Sequence, residues 1–276
     1  MRAAEPMTIK RRYSTAEFTN DGPAETTSDL VRETLSNAKG VMSKAGFDVG
    51  NTVQVAVDPK LPFMGYTIPT GRNFRIVVSG MAVKSGMLEP LLIHEMSHVY
   101  RMRTHHPSHN QRVISEVVNN MAKQSLSEDY QQKIISELVN HIQDLYADDI
   151  AVKVIKQIDY IPNNQLSEFL QDWVKHEPIK SNDARRDIWV NAAIMVNNAR
   201  ALSQMKRHRI EDVGNKASTS SMKFLSQIPP VTSREFEYFR NVMTNLKEEI
   251  TEEGYRGLLS DYLDRFVEMA EKTNDQ

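Results

Sequence analysis

The stretch Leu91–Tyr100, LLIHEMSHVY, decides how the rest of the chain is read. Pro90, just before it, suits the first turn of a helix, where its missing N–H would have had no partner. Leu92, Met96 and Val99 recur at helical spacing on one face, and Leu91, His94 and His98 on another, so a helix is predicted from Glu89 to about Arg103. His94 and His98 are then one turn apart, and two imidazoles so placed can reach one ion from the same side. Zinc takes neutral histidine nitrogens and prefers four tetrahedral ligands. Glu95 points about 100° round the helix from His94. From there its carboxylate can take a proton from a metal-bound water, whose pKa the metal lowers toward ~7. The His-Glu-x-x-His spacing is the metalloprotease signature; with 8 histidines and 20 glutamates in 276 residues, chance supplies such a match only roughly 0.02 times. The plainer alternative is a helix bearing two solvated or rim histidines and a surface glutamate.

Downstream residues narrow the class. A third histidine in the His-x-x-Gly-x-x-His continuation is excluded, because Arg101 stands where glycine would be, Thr104 where the histidine would be, and His105 comes one residue late. An acidic third ligand is offered by HIQDLYADDIAV, residues 141–152, where Asp144 and Asp148 lie one turn apart near His141. Carboxylates flanked by Leu138, Ile142, Leu145 and Ile150 need a metal, a cation or hydrogen bonds if they are buried. The bland reading is the solvated face of an amphipathic helix. A metal-bound histidine usually donates its other N–H to a carboxylate, so Asp144 as ligand and Asp148 as the acid that orients a histidine would use both. An open fourth position would remain for water.

The bulk of the sequence excludes other classes. The absence of cysteine removes disulfides, thiolate zinc sites and thiol catalysis. A net charge of −2 gives no reason to expect nucleic acid or an anionic membrane as partner. The apolar run beside the motif, Leu91–Ile93, is far too short to span a bilayer. No apolar stretch follows the basic start of the chain, so no secretory signal is expected. The protein is therefore expected to be soluble and cytoplasmic, without membrane insertion.

Residues 1–26 read as a flexible leader, polar and broken by Pro6, Gly22 and Pro23. Thr27 or Ser28 caps a helix along which Leu30, Val31, Leu35, Ala38 and Met42 recur, and Gly46 follows its end. TVQVAV (52–57) and FRIVVS (74–79) read as strands; between them Pro59, Pro62, Gly65, Pro69 and Gly71 read as loop. Past Glu89 the readable pattern is helical. Ser108 with Gln111 reads as a capping box, a long helix runs from Ser127 to about Gln157, and Pro162 ends that region. Further helices are expected near 165–175, 183–208, 233–249 and 252–272, with Thr232 and Thr251 as caps. Residues 209–230 are weakly patterned. The expected fold class is α+β and mostly helical: a leader over 1–26, a core over 27–157 with a small sheet, and an all-helical region over 158–276.

Those residues resemble the gluzincin metallopeptidases, in which a strand precedes a His-Glu-x-x-His helix and a later helix carries Glu-x-x-x-Asp. DLYAD (144–148) is similar to the corresponding segment of the membrane-linked HtpX-type peptidases, with Ala147 and Asp148 in step. The resemblance covers roughly residues 50–157 and departs from the pattern at Asp144, one methylene shorter than glutamate, and in lacking that group's membrane spans. It implies a zincin-like arrangement of the core. It implies Zn2+ held by His94, His98 and Asp144, with Glu95 as general base and Asp148 behind a zinc-bound histidine. The activity implied is hydrolysis of a peptide or protein substrate, and FRIVVS is the candidate edge for an extended peptide. The resemblance identifies no oxyanion partner; His105, His106, His109 and Tyr146 are candidates by proximity in sequence only, and HHPSH (105–109) reads more simply as a helix-linking loop with exposed histidines. The alternative is an inactive, peptidase-like binding or regulatory scaffold with a helical adaptor region, in which Trp173, Trp189 and Phe224 could anchor a partner, although such residues more often pack in a core.

Overall fold

The computed structural model describes residues 27–122, 126–158 and 161–274; the expected leader, 1–26, lies outside them. The fold is α+β and mostly helical. The chain divides into two compact units, one within Met1–His106 and Tyr146–Tyr160, the other within Pro107–Leu145 and Ile161–Gln276.

In the first unit, α1 (Thr27–Lys44) leads to a three-stranded sheet of β1 (Val53–Asp58), β2 (Gly65–Thr70) and β3 (Asn73–Ser79), in the order β1-β3-β2. β3 pairs parallel with β1, Val55 opposite Ile76, and antiparallel with β2, Thr67 opposite Ile76. FRIVVS is therefore the central strand and offers no free edge, which corrects its reading as a docking edge. Ile76 and Val78 are fully buried, each contributing roughly 1.5–3 kcal/mol. β2 replaces the expected loop. It sits at an edge, where Pro69 can lack an N–H without breaking a ladder. Gly65 starts β2 because a Cβ there would lie 2.8 Å from the Val77 carbonyl oxygen.

β3 runs almost directly into the helix of the opening motif. The Ser79 hydroxyl accepts from the Ala82 N–H at 3.0 Å and caps the short α2 (Gly80–Lys84). Gly86 then takes a left-handed conformation, φ 69°, and α3 (Leu88–Arg103) begins. Leu92, Ile93, Met96 and Val99 are fully buried along α3, which packs on α1, β2 and β3. α3 ends in a Schellman-type turn: the His106 N–H donates to the Arg101 carbonyl at 2.9 Å and the His105 N–H to Met102 at 3.2 Å. His105 occupies the left-handed position, φ 54°.

In the second unit, α4 (Gln111–Ala122) begins after a single 3-10 turn at Pro107–His109. Its cap is Asn110, whose Oδ1 accepts from the Arg112 N–H at 3.1 Å, and not Ser108, whose hydroxyl meets His109 Nδ1 at 2.8 Å. The long α5 (Asp129–Gln157) opens with Gln131 accepting the Ser127 and Glu128 N–H groups at 3.0 and 3.1 Å. It continues unbroken past Tyr146 into the first unit. α6 (Asn163–Trp173), α7 (Ala184–Arg207), α8 (Lys216–Leu225), α9 (Pro230–Ser233), α10 (Phe236–Thr244) and α11 (Glu252–Asn274) follow. α7 packs against α6, α8, α10 and α11. Trp189 and Phe224 belong to the buried core, as the core-packing reading of them expects. α8 lies in the stretch read as weakly patterned; Asp212 accepts the Ala217 and Ser218 N–H groups at its start. Thr232 lies in α9 and its hydroxyl meets that of Thr273 at 2.9 Å, so it does not cap α10. Thr251 does cap α11, accepting the Gly254 N–H at 3.1 Å.

Candidate metal centre

The motif residues lie near the middle of α3, where the helix turns its apolar stripe inward and leaves His94 and His98 half-buried. Their rings are nearly perpendicular, 84°, with centroids 4.8 Å apart. The two Nε2 atoms face each other at 3.2 Å. His94 Nδ1 lies 2.8 Å from Asp148 Oδ1. An ionised carboxylate only accepts, so Nδ1 carries the hydrogen and the Nε2 of a neutral His94 presents a lone pair. His98 Nε2 therefore either donates to that lone pair or shares a cation with it.

Asp148 is placed by α5, whose last turns are tied to the first unit in three ways. Besides the His94 contact, Arg101 Nε donates to the Tyr146 carbonyl at 3.1 Å. The Lys153 ammonium lies 5.2 Å from the centre of the Phe47 ring. Arg101, standing where a glycine would be in the three-histidine class, is thus a buried strut of the helix pair. Asp144 precedes Asp148 by one turn of the same helix. Asp144 belongs to the second unit, whereas His94, His98 and Asp148 belong to the first. The side chains of Asp144 and Asp148 are 17% and 15% exposed, too little for a simple solvated face.

The two imidazoles suit zinc in kind and in spacing. Two imidazole nitrogens and a carboxylate are among its usual ligands, and two nitrogens bound at zinc distance in a tetrahedron lie roughly 3.3 Å apart, close to the separation of the two Nε2 atoms. Asp148 supplies the carboxylate–histidine contact that fixes a ligand's tautomer.

Glu95 is buried beside the two histidines. Thr67, at the centre of β2, donates its hydroxyl to Glu95 Oε2 at 2.7 Å. That hydrogen bond engages one carboxylate oxygen and fixes the side chain against the edge strand. Thr67 was not legible as part of the site, because its surroundings carry the proline and glycine signals of a loop. Arg200 was also missed: its Nη2 donates to Asp144 Oδ2 at 2.9 Å, from a side chain 1% exposed. The signal available was a lone arginine on the stripe of α7 that carries Val196, Ala199 and Ser203, all buried.

Of the oxyanion candidates, Tyr146 is fully buried, with its ring centroid 4.7 Å from that of His106, which removes it from contact with a substrate. His105 serves the helix end. Among the described residues, no helix is long and apolar enough to cross a membrane.

No curated protein and no solved structure matches the chain. The model of the Family of unknown function (DUF5781) matches residues 30–268, from α1 into α11, and the chain belongs to that family.

Proposed function

We propose that the protein is a zinc-dependent metallopeptidase with a zincin-like core. The observation that carries the reading is the convergence of His94 and His98 Nε2 at 3.2 Å, with Asp148 behind His94 and Glu95 alongside. An antiparallel edge strand packed on the motif helix, as β2 is on α3, supports the core arrangement. In this reading His94 and His98 would hold the ion with Asp144 as the third ligand, and Asp148 would keep the His94 lone pair aimed at it. The chemistry that bound zinc supplies is acidification of a water and polarisation of the scissile carbonyl. Glu95 takes the proton from the attacking water on the oxygen not engaged by Thr67, and passes it to the departing amine nitrogen. An extended peptide pairs with the outer edge of β2, Gly65–Thr70, in place of the edge first assigned to FRIVVS.

A second reading is a metal-free binding scaffold. It is favoured by the ion pair of Asp144 with Arg200, which satisfies the carboxylate without a metal. Elemental analysis of untagged protein, with hydrolysis of a quenched-fluorophore peptide library, separates the two. The peptidase reading expects about one zinc per chain, and Glu95→Gln retaining zinc while losing roughly 100- to 10,000-fold in kcat. Chain that binds no zinc after incubation and dialysis overturns it in favour of the scaffold.

A further inference from the structure

Ile179 lies in the connection between α6 and α7 and is 49% exposed, yet its backbone is pinned at both polar groups. The Asn191 side chain accepts from the Ile179 N–H at 2.8 Å and donates to its carbonyl at 2.9 Å. Asn198 grips the N–H and carbonyl of Lys175 in the same way, at 2.9 and 2.8 Å. Asp187 accepts from both the N–H and the hydroxyl of Ser181. Asp187, Asn191 and Asn198 share one stripe of α7, so the connection is laid along that helix at three points. Beside it lies a cavity of about 210 Å³ whose apolar lining comes from Ile179, Ala184, Ile188, Ile228 and Pro229. Most polar groups around it are already engaged. Thr273 donates its hydroxyl to the Met269 carbonyl, so the hydrogen between Thr232 and Thr273 comes from Thr232, and neither hydroxyl has one left to offer. Lys180 is the exception: it is exposed, it lines the cavity, and among the described residues its ammonium has no ion pair.

We propose that this cavity binds a free straight-chain alkanoate of medium length, with its tail among the isoleucines and its carboxylate at the Lys180 ammonium. The site shares no residue with the candidate metal centre and does not depend on the peptidase reading. Volume sets the length: a methylene takes about the room of a water, roughly 30 Å³, so 210 Å³ holds a chain of about six to eight carbons. The lining sets the class. A sugar, a nucleotide or a phosphate needs several convergent donors, and here one ammonium faces an otherwise apolar wall. That single cation favours an anion over an alcohol and repels an amine. Because Lys180 is exposed, its pairing is worth only about two- to fivefold in affinity. The tail dominates, since each methylene taken fully out of water contributes about fourfold.

The test is isothermal titration calorimetry of the full chain with butanoate, hexanoate, octanoate, decanoate and octanol. Affinity is expected to rise about two- to fourfold per methylene as far as octanoate, and to level off at decanoate once the cavity is full. Octanoate should bind with a Kd below about 1 mM, and about two- to fivefold tighter than octanol. Lys180→Met should remove that preference while leaving octanol within about twofold, and Lys180→Arg should keep it. Ala184 is exposed at the start of α7, so Ala184→Phe fills the cavity from its mouth and should weaken both ligands at least about tenfold. Each variant is checked for a cooperative thermal transition, and Ala184→Met takes the place of Ala184→Phe if the latter does not fold. Absence of octanoate binding up to about 10 mM overturns the proposal. Octanol binding as tightly as octanoate overturns it too. So does an affinity that keeps rising through decanoate and ignores the substitutions at Lys180 and Ala184, which is adsorption to exposed apolar surface.

Discussion

The histidines of α3 and those of the turn that follows it are the same residue type a few positions apart, and their surroundings differ in kind. His94 and His98 stand one turn apart on a helix whose neighbouring face is fully buried, so their rings are held half-sheltered with both Nε2 atoms aimed at one point. His105, His106 and His109 follow at spacings that match no period. His105 fills the left-handed position of the helix end, His106 lies against the Tyr146 ring, and His109 Nδ1 meets the hydroxyl of its neighbour Ser108. The linker has more histidines than the motif, and among the described residues none of them belongs to a group of three metal-capable side chains. A metal centre depends on a rigid element that repeats the ligand direction, and on acids brought to it from elsewhere in the chain.

The contrast can be broken or sharpened by substitution. The largest effect after that of Glu95→Gln is expected from Asp148→Asn, which keeps the shape but replaces the ionised acceptor for His94 Nδ1. Zinc affinity should fall roughly 10- to 100-fold, as read by chelator competition. An unchanged affinity would mean that Asp148 serves the helix pair and not the ligand. Thr67→Val removes the hydroxyl that holds Glu95 Oε2. A hydrogen bond to a charged group is worth about 1.5–3 kcal/mol, so kcat should drop at least about tenfold with zinc content unchanged, and Thr67→Ser should restore most of it. A fall confined to KM would argue that Thr67 touches substrate instead. On the linker side, His106→Ala should leave zinc stoichiometry and affinity untouched and cost only about 0.5–1.5 kcal/mol of stability through the lost ring contact with Tyr146; denaturant unfolding measures it. The smallest effect has the opposite sign. His105→Gly relieves a left-handed backbone conformation at the end of α3, and should stabilise the fold by about 0.5–1 kcal/mol, seen as a raised Tm. A destabilised variant would show that the imidazole of His105 does more than end the helix.

Particular residues show how far the sequence carried. The helices over 27–44 and 88–103 and the long one to Gln157 were legible because their apolar residues repeat at 3.6 and their ends carry helix-stop or capping signals. β2 was not, since Pro69 and Gly65 outweigh the short alternation of Tyr66, Thr67 and Ile68; pairing with β3 overrides that local signal. FRIVVS could have been placed better from its composition alone. Its uninterrupted Ile76-Val77-Val78 run suits a strand covered on both faces, which is a central strand and not an edge. Ser108 satisfied a capping pattern, but the chain kinks through Pro107–His109, so the helix starts later and Asn110 takes the role. α8 depends on Asp212 reaching forward to cap it and on Ala217, Ser221 and Phe224 being buried, neither of which shows as a strong period.

The sequence by itself determined the two local facts on which the candidate site stands: His94, Glu95 and His98 within little more than one turn of a helix, and Asp144 and Asp148 one turn apart on another. Helical geometry follows from hydrogen bonds four residues apart, so spacing in the chain translates directly into direction in space. Only the tertiary structure decided which acid meets which base. Asp148 reaches His94 across 54 positions, Thr67 reaches Glu95 across 28, and Arg200 reaches Asp144 across 56. Those pairings are set by how sheet and helices pack, a collective outcome of burying many apolar side chains at once, and no short window of sequence contains both partners.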